Sequence, residues 1–558
     1  MASYTLSQKY LSSRGGSYDF TFEEVVLQGL ASDGGLFLPQ AIPLMGEVPD
    51  DWTNWSFGEL AYHIFSKYIS PSEIPPEDLK EIVRKSYSKS VFRSPDVTPL
   101  VTLDEEKQLY LLELFHGPTF AFKDVALQFL GNLFEYFLLR RNQGKSGAQR
   151  EHLTVIGATS GDTGSAAIYG LRGKQDVSVM IMFPKGRVSP VQEAQMTSVL
   201  DDNVHNLAVD GSFDDCQDFV KALFSDAGIN KTHKLAAVNS INWARILAQI
   251  TYYFHSYASL IKSGKITSSS KIRFVVPTGN FGDILAGYFA KHMGLPIEKL
   301  VIATNENDIL HRFWKTGYYE KKPVHGREAH GGLPEDGVKA DEDGVKGTLS
   351  PAMDILVSSN FERLLWFLAF QVHSLGPIEQ QRKIAGQRVK GWLEELKSSG
   401  GFGVQHQLLQ AAKIDFESER VSDKETLATI RGIYSTETPA AKEGRSQGTT
   451  GIAKHGRYIL DPHSAIGVAA ALRSIERAPP PETLHIALAT AHPAKFSSAV
   501  TEALEKEKEN GFRFEDVLPE QFVGLEKLPQ RVTNVKKSDG LEGLRALIRS
   551  RVASREAP

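Results

Sequence analysis

The sequence predicts an α/β protein with two parallel-sheet domains and a mainly helical N-terminal unit. Two observations carry this prediction. From Pro99 onward, short β-rich runs alternate with helical stretches, a rhythm typical of parallel strands whose connecting helices cover both faces of a sheet. Residues 1–95 lack this rhythm and show helical patterns at 21–32, 56–68 and 76–89. We therefore divide the chain into an N-terminal domain (1–95), a central α/β region (96–510) and a C-terminal extension (511–558).

The alternating region supplies the elements of the predicted sheets. Its predicted strands lie at 108–114, 153–159, 177–183, 204–209, 234–238, 271–276, 300–304 and 484–489. Its predicted helices lie at 125–140, 165–171, 284–293 and from 188 onward. Two segments interrupt the rhythm. Residues 321–347, rich in Gly, Asp, Glu and Lys, are predicted to be a surface insertion, and 436–456 to be a loop over a site or a disordered connection.

The composition argues against several classes of protein. The net charge is −4 and no basic stripe is present, so nucleic acid is not an expected partner. No apolar run approaches the roughly 20 residues that span a bilayer, so we expect no membrane and a cytoplasmic location. The single cysteine, Cys216, permits no intrachain disulfide, which fits a reducing compartment. The histidines form no cluster with metal-ligand spacing, so we expect no metal.

Lys123 is the most informative residue, because apolar neighbours surround it in the run 115–124, FHGPTFAFKD. Burial disfavours the charged ammonium and frees the amine to attack a carbonyl. Such a lysine can hold an aldehyde cofactor as a Schiff base. The alternative is a lysine whose stem packs on the surface while its amine reaches water.

Two glycine-rich loops each follow a predicted strand and open a predicted helix. Residues 277–284, PTGNFGDI, can present backbone N–H groups and the positive end of a helix dipole to a phosphate. A tight turn with Asp283 as helix cap is the alternative. Residues 157–166, GATSGDTGSA, suit a carboxylate or a cofactor oxygen, although a plain capped turn explains them equally well.

Two further segments carry candidate anion-binding side chains. Asn242 and Arg245 are three residues apart at a predicted helix start, and the arginine fork matches a phosphate; a solvated or salt-bridged arginine is the alternative. Thr490 ends a predicted strand, where parallel sheets line their ligand crevice, and Lys495 follows it. Together the segments describe a Schiff-base lysine, a phosphate cradle, a carboxylate loop and a second anion site, which suits pyridoxal phosphate and a phosphorylated amino acid.

At these strings the chain resembles the threonine synthase family, in the subgroup found in fungi and many bacteria. The family belongs to the fold type II, tryptophan-synthase-β-like enzymes that use pyridoxal phosphate. The resemblance covers nearly the whole chain, and further matching strings lie at 10–15, 33–37, 348–355, 358–363 and 461–465. It implies that 96–510 is a catalytic region, with large and small domains around a central cofactor crevice.

The resemblance also implies roles for individual residues. Lys123 resembles the lysine that forms the Schiff base, and Thr490 resembles the partner of the pyridine nitrogen. The cofactor phosphate is expected on Gly279, Asn280, Phe281, Gly282 and Asp283. The substrate is expected on Thr159, Ser160, Gly161, Asp162, Thr163, Asn242, Arg245 and Lys495.

The implied reaction converts O-phospho-L-homoserine and water into L-threonine and phosphate, and the implied assembly is a monomer or homodimer. Two alternatives remain. A dehydratase or a phospho-lyase of the same fold type is the first, but a dehydratase has no use for Asn242, Arg245 and Lys495. A catalytically silent binding protein is the second, and it would be expected to lose Lys123 or the glycine loop. Both features are present.

Overall fold

The computed structural model describes residues 8–16, 18–46, 51–267, 270–325, 344–372, 376–439, 457–509 and 511–553. The strands of this part are β1 (Tyr10–Ser12), β2 (Phe37–Pro39), β3 (Leu100–Asp104), β4 (Leu109–Glu113), β5 (Leu153–Ala158), β6 (Val177–Pro184), β7 (Val204–Asp210), β8 (Leu235–Ala236), β9 (Lys271–Pro277), β10 (Ile297–Thr304), β11 (Tyr318–Glu320), β12 (Gly401–Gly403), β13 (Phe416–Arg420), β14 (Thr483–Ala489) and β15 (Thr533–Lys536).

The α-helices of the same part alternate with these strands. They are α1 (Phe22–Gln28), α2 (Phe57–Tyr68), α3 (Pro76–Ser86), α4 (Lys123–Arg141), α5 (Asp162–Leu171), α6 (Pro190–Thr197), α7 (Phe213–Ser225), α8 (Ala227–His233), α9 (Trp243–Lys262), α10 (Gly282–His292), α11 (Ile309–Thr316), α12 (Phe361–Val372), α13 (Ile378–Ser399), α14 (His406–Asp415), α15 (Asp423–Ser435), α16 (Pro462–Arg477), α17 (Ser497–Ala503) and α18 (Gly540–Ala553).

The larger sheet has six strands in the order β13-β10-β9-β14-β4-β3. Every neighbouring pair is parallel except β3 with β4, which is antiparallel. The sequence analysis predicted parallel strands only and did not include β3. The difference has a simple cause, because a turn of four residues joins β3 to β4 and a link that short permits only an antiparallel pair.

The smaller sheet has five parallel strands in the order β15-β7-β6-β5-β8. Strand β8 is shorter than the predicted 234–238, since only Leu235 and Ala236 pair with β5. Strand β15 lies in the C-terminal extension and pairs with β7 over Thr533–Lys536. The extension therefore completes a sheet of the α/β region.

The N-terminal unit is helical, with one small antiparallel pair formed by β1 and β2. Thr21 and Ser56 begin α1 and α2 with capping boxes to Glu24 and Glu59, which satisfy backbone N–H groups that the first helical turn leaves free. Tyr10 of this unit packs against Trp243 of α9, with ring centroids 6.0 Å apart. The unit and the α/β region thus share one continuous apolar core.

Most predicted elements of the α/β region occur within a few residues of their predicted bounds. The predicted helix 125–140 begins two residues earlier, at Lys123. The two predicted insertions lie partly outside the described residues, which omit 326–343 and 440–456. Within the described ranges, none of the helices has the length and apolar character needed to span a membrane.

Candidate active site

Three neighbouring strands of the larger sheet place the predicted loops at one edge. Strand β14 lies between β4 and β9 and runs parallel to both. The run that contains Lys123 follows β4, Thr490 follows β14, and the loop 278–281 follows β9. Because parallel strands end at the same edge, the sheet brings these segments together, where α/β proteins bind ligands.

Lys123 is the first residue of α4, and backbone contacts hold the loop before it. Ala121 forms an isolated antiparallel bridge with Ala491, and the Phe122 N–H donates to the Thr490 carbonyl at 2.8 Å. The Lys123 loop and the Thr490 segment, far apart in the chain, therefore form one unit.

The Lys123 side chain is buried, as the sequence predicted, with 8% of the residue exposed. Its Nζ lies 3.8 Å from Oδ2 of Asp162. Burial lowers the pKa of the Lys123 amine; Asp162 opposes this effect, whereas the positive charges of Lys495 and Arg245 add to it. An amine in this environment loses its proton more readily than a solvated lysine, as a nucleophile or a base requires.

Asp162 lies in the first turn of α5, and its carboxylate faces two lysines, Lys123 and Lys495. Lys495 Nζ lies 2.6 Å from its Oδ1, and Gln192 Nε2 donates to the same oxygen at 2.7 Å. Burial alone would raise the pKa of Asp162, but the charges of Lys495 and Lys123 outweigh burial and hold that pKa well below its usual range. Asp162 is therefore ionised and acts as a counter-ion.

In the loop that leads into α5, some side chains make hydrogen bonds within the protein and others are exposed to solvent. The Thr159 hydroxyl accepts hydrogen bonds from the N–H groups of Gly161 (3.0 Å) and Gly164 (2.8 Å). Its own O–H can still donate, and its contact with substrate stays a prediction. Ser160 is exposed and Thr163 is half-buried. Gly161 has φ of 145°, a conformation that side chains disfavour.

Two carbonyl groups of the loop 278–281 accept hydrogen bonds from the neighbouring segment 358–360. Ser358 Oγ donates to the Gly279 carbonyl at 2.6 Å, and the Asn360 N–H and Nδ2 both donate to the Asn280 carbonyl at 3.0 Å. A Cβ atom at Gly279 would lie 3.0 Å from the Ala352 carbonyl oxygen, so a side chain fits poorly there. The first N–H groups of α10 have no acceptor within the helix and can bind an anion.

The Asp283 side chain turns to the neighbouring helix α9. Its Oδ1 accepts hydrogen bonds from the Tyr252 hydroxyl and from the Tyr253 hydroxyl at 3.1 Å. Phe281, in a left-handed conformation, is the residue before α10, so Asp283 is not the helix cap. Its Oδ2 has no hydrogen-bond partner among the described residues, and the Asp283 N–H, in the first turn of α10, is the group that can donate to the predicted cofactor phosphate. Burial raises the pKa of this carboxyl to about 7, although both tyrosine hydrogen bonds lower it.

Arg245 and Asn242 lie close in sequence but have different surroundings. Arg245 is buried and donates from Nη1 to the Val238 carbonyl at 3.0 Å. Among the described residues, its Nε has no hydrogen-bond partner, and burial lowers its pKa to about 10. Asn242 instead caps α9 through Ala244 and donates from Nδ2 to the Val26 carbonyl at 2.9 Å. These bonds use Oδ1 and one of the two Nδ2 hydrogens, and the phosphate contact of Asn242 stays a prediction.

A second contact of the Thr490 backbone involves Ser464, to which the sequence analysis assigned no role. The Thr490 N–H donates to Ser464 Oγ at 3.2 Å, and Ser464 in turn donates to Asp461. Gln192, Ser358 and Asn360 are other positioning residues that sequence reasoning missed. Strings that contain Ser358, Asn360 and Ser464 matched the family, but only the fold shows what these side chains contact.

Models of three protein families match the chain and together span most of it. The model "Threonine synthase N terminus" matches residues 9–87. The model "Pyridoxal-phosphate dependent enzyme" matches 91–344, and "Threonine synthase, C-terminal" matches 464–548.

Full-length relatives agree with these matches. A threonine synthase of Schizosaccharomyces pombe is 53% identical over 520 residues, 92% of this chain and 93% of that protein. The crystal structure of threonine synthase from yeast superposes with a TM-score of 0.85 at 49% identity, covering 98% of this chain and 99% of that one. A pyridoxal-phosphate-bound threonine synthase from Brucella melitensis gives a TM-score of 0.77 at 38% identity, covering 98% and 99%. From the site geometry and these likenesses together, we conclude that the chain belongs to the threonine synthase family of fold type II, pyridoxal-phosphate-dependent enzymes.

Proposed function

We propose how the residues of this chain carry out the threonine synthase reaction. That reaction converts O-phospho-L-homoserine and water into L-threonine and phosphate, the last step of threonine biosynthesis, and makes the chain a carbon–oxygen lyase acting on phosphate. The observation that carries the residue assignment is the buried Lys123 amine, with two cations and one carboxylate around it. It is the group best suited to form a Schiff base with the cofactor.

The residues present fit pyridoxal phosphate. Lys123 supplies a buried amine for the aldehyde. The residues 279–283 supply backbone N–H groups for the phosphate, with space that a side chain at Gly279 would restrict. Thr490, buried at the end of β14, supplies an uncharged hydroxyl for the pyridine nitrogen. An uncharged partner does not hold that nitrogen protonated, so we expect a weaker electron sink than an aspartate would create.

The bound cofactor supplies an electron sink for the charge that develops at Cα of the substrate. With its amine free, Lys123 would be the base that removes the Cα proton at its Nζ atom. Burial lowers the pKa of this amine, which favours the unprotonated form that this step needs. Asp162, 3.8 Å away, can hold Lys123 by charge when Nζ carries a proton.

We assign the substrate's two anionic groups to different parts of the site. Ser160 and Thr163, on the loop and first turn of α5, are suited to the substrate carboxylate. Arg245 is suited to the phosphate, because its buried guanidinium has an Nε without a partner among the described residues. We also assign Lys495 to the phosphate, and Asp162 is its counter-ion instead of a substrate ligand.

The test is an assay of the purified protein with O-phospho-L-homoserine for both inorganic phosphate and threonine, beside Lys123→Ala. We expect equal amounts of the two products and loss of turnover in the variant. Phosphate with 2-oxobutyrate would identify a lyase on the same scaffold. Turnover that survives in Lys123→Ala would overturn the assignment of that residue.

We also propose that the protein works in the cytoplasm, as a monomer or homodimer, and without nucleic acid. Its single cysteine and its net charge of −4 support the first and last points. Size-exclusion chromatography with light scattering would decide the assembly. The division of the chain at residues 95 and 510 stays a prediction, which limited proteolysis can test.

A further inference from the structure

A small apolar cluster lies directly behind the proposed active site. Its buried members come from the loop before Lys123, from helix α6, from the short helical turn 493–495 and from the C-terminal extension: Phe120, Ala194, Ala494, Phe522 and Leu525. Phe120 is three residues before Lys123, and Ala494 immediately precedes Lys495. Ala194 lies between Gln192, which bonds to Asp162, and Gln195, which donates to the Thr119 carbonyl. Members of the cluster thus lie within three residues of Lys123, Gln192 and Lys495 along the chain.

Phe120 is the residue through which this cluster reaches Lys123. Its φ is 59°, a left-handed conformation that bulky residues keep only when their surroundings hold them. Its ring is fully buried. The Arg93 guanidinium lies 3.8 Å from the ring centroid, the His492 ring 5.4 Å away and the Phe522 ring 4.8 Å away. Helix α4 begins at Lys123, three residues after Phe120, so the Phe120 conformation affects the direction in which the chain enters that helix.

The C-terminal extension is anchored independently on both sides of Phe522. After it, the Arg531 N–H donates to the Thr197 carbonyl at 2.7 Å, and β15 pairs with β7. Before it, Phe512 and Val517 are buried in a separate core cluster. The backbone around Phe522 is therefore held in place by other contacts and does not depend on the contact between Phe522 and Phe120.

We propose that Phe522 is a positioning residue, which holds Phe120 in its left-handed conformation and so places Lys123 for the cofactor. The inference rests on the proposed role of Lys123. Phe522 acts through its ring contact with Phe120 and through the residues packed in the same cluster. The C-terminal extension is then a working part of the active site, although it lies outside the pyridoxal-phosphate enzyme match at 91–344.

The test compares Phe522→Ala with Val523→Ala in the full-length protein. Val523 is the adjacent residue but is 70% exposed, so it serves as a matched control. Two quantities are measured: the dissociation constant of pyridoxal phosphate, and the pH midpoint of the cofactor absorbance band. We expect the dissociation constant to rise by up to about 10-fold in Phe522→Ala, the fold-change that the loss of one aromatic pair can produce. The midpoint should also move, because Lys123 then meets the cofactor in a different position. Val523→Ala should leave both unchanged.

A conservative variant separates positioning from mere stability. Phe522→Leu keeps an apolar contact on Phe120 and should restore most of the cofactor affinity. If Phe522→Ala does not fold, Phe522→Leu and Leu525→Ala provide the same comparison. A folded variant with a lower melting temperature but native cofactor affinity and pH midpoint would overturn the proposal. Borohydride reduction of the native protein keeps the two proposals apart, since a cofactor adduct at any residue other than Lys123 would refute the proposed function instead.

Discussion

Asp162 and Lys495 form a buried ion pair, with 2.6 Å between Oδ1 and Nζ. The second Asp162 oxygen lies 3.8 Å from Lys123 Nζ. One carboxylate thus serves two lysines at the centre of the site. Removing one member of a buried pair leaves an uncompensated charge, which costs more than removing both. This arrangement leads to the first prediction.

Replacing Asp162 by Asn should lower the free energy of unfolding by about 3 kcal/mol, because Lys495 then keeps a buried charge without a counter-ion. Adding Lys495→Gln to that variant should restore part of the loss. Urea unfolding of the two single variants, the double variant and the native protein measures the coupling. Losses that simply add would show that the pair is not energetically coupled.

Replacing Arg245 by Met should lower kcat/KM for O-phospho-L-homoserine by about 10- to 100-fold, since a hydrogen bond to a charged group contributes about 1.5–3 kcal/mol. The cofactor should still bind. Asn242→Ala is the matched control on the same helix start. It removes a cap and the bond to Val26, so it should lower stability by about 1 kcal/mol and leave KM unchanged. A raised KM in the Asn242→Ala control would indicate that Asn242 contacts the substrate.

Asp283 should make stability depend on pH. Burial raises the pKa of its carboxyl from 3.8 to about 7 in the folded protein. The folded state therefore binds this proton more tightly than the unfolded state. The resulting stabilisation is complete below pH 3.8 and is lost as the pH rises to about 7.

The pH-dependent stabilisation by Asp283 is at most about 4 kcal/mol, because each pKa unit corresponds to roughly 1.4 kcal/mol. Urea unfolding of native protein and Asp283→Asn, from pH 5 to 8 at constant pyridoxal phosphate, measures the difference. The native protein should lose more stability than the variant as the pH rises. Parallel curves would mean that Asp283 does not titrate in this range.

Replacing Thr490 by Asp should increase the absorbance of the ring-protonated form of the cofactor, because a carboxylate beside the pyridine nitrogen favours its protonation. Thr490→Ser keeps an uncharged hydroxyl and should retain the native spectrum. Absorbance spectra of the three holoproteins make the comparison. An unchanged spectrum in Thr490→Asp would remove Thr490 from its proposed place at the ring nitrogen.

The sequence alone predicted the α/β class, most strands and the segments that meet at the site. These features depend on short-range information. Hydrophobic periodicity predicts a strand or a helix, and a glycine-rich loop between them predicts an anion site. The burial of Lys123 was likewise readable from its apolar neighbours. By contrast, the edge strands β3, β13 and β15 of the two larger sheets were missed, because a short strand at a sheet edge has little periodicity of its own.

Only the tertiary structure decided which partner each polar side chain takes. Asn242 had the residue type and position of a phosphate ligand, yet its amide bonds to Val26, 216 residues earlier. Asp283 was expected beside the cofactor, yet its carboxylate bonds to tyrosines of α9. An amide or a carboxylate can cap a helix, pair with a charge or bind a ligand with the same atoms. Which of these it does depends on groups that only long-range packing brings within hydrogen-bond distance.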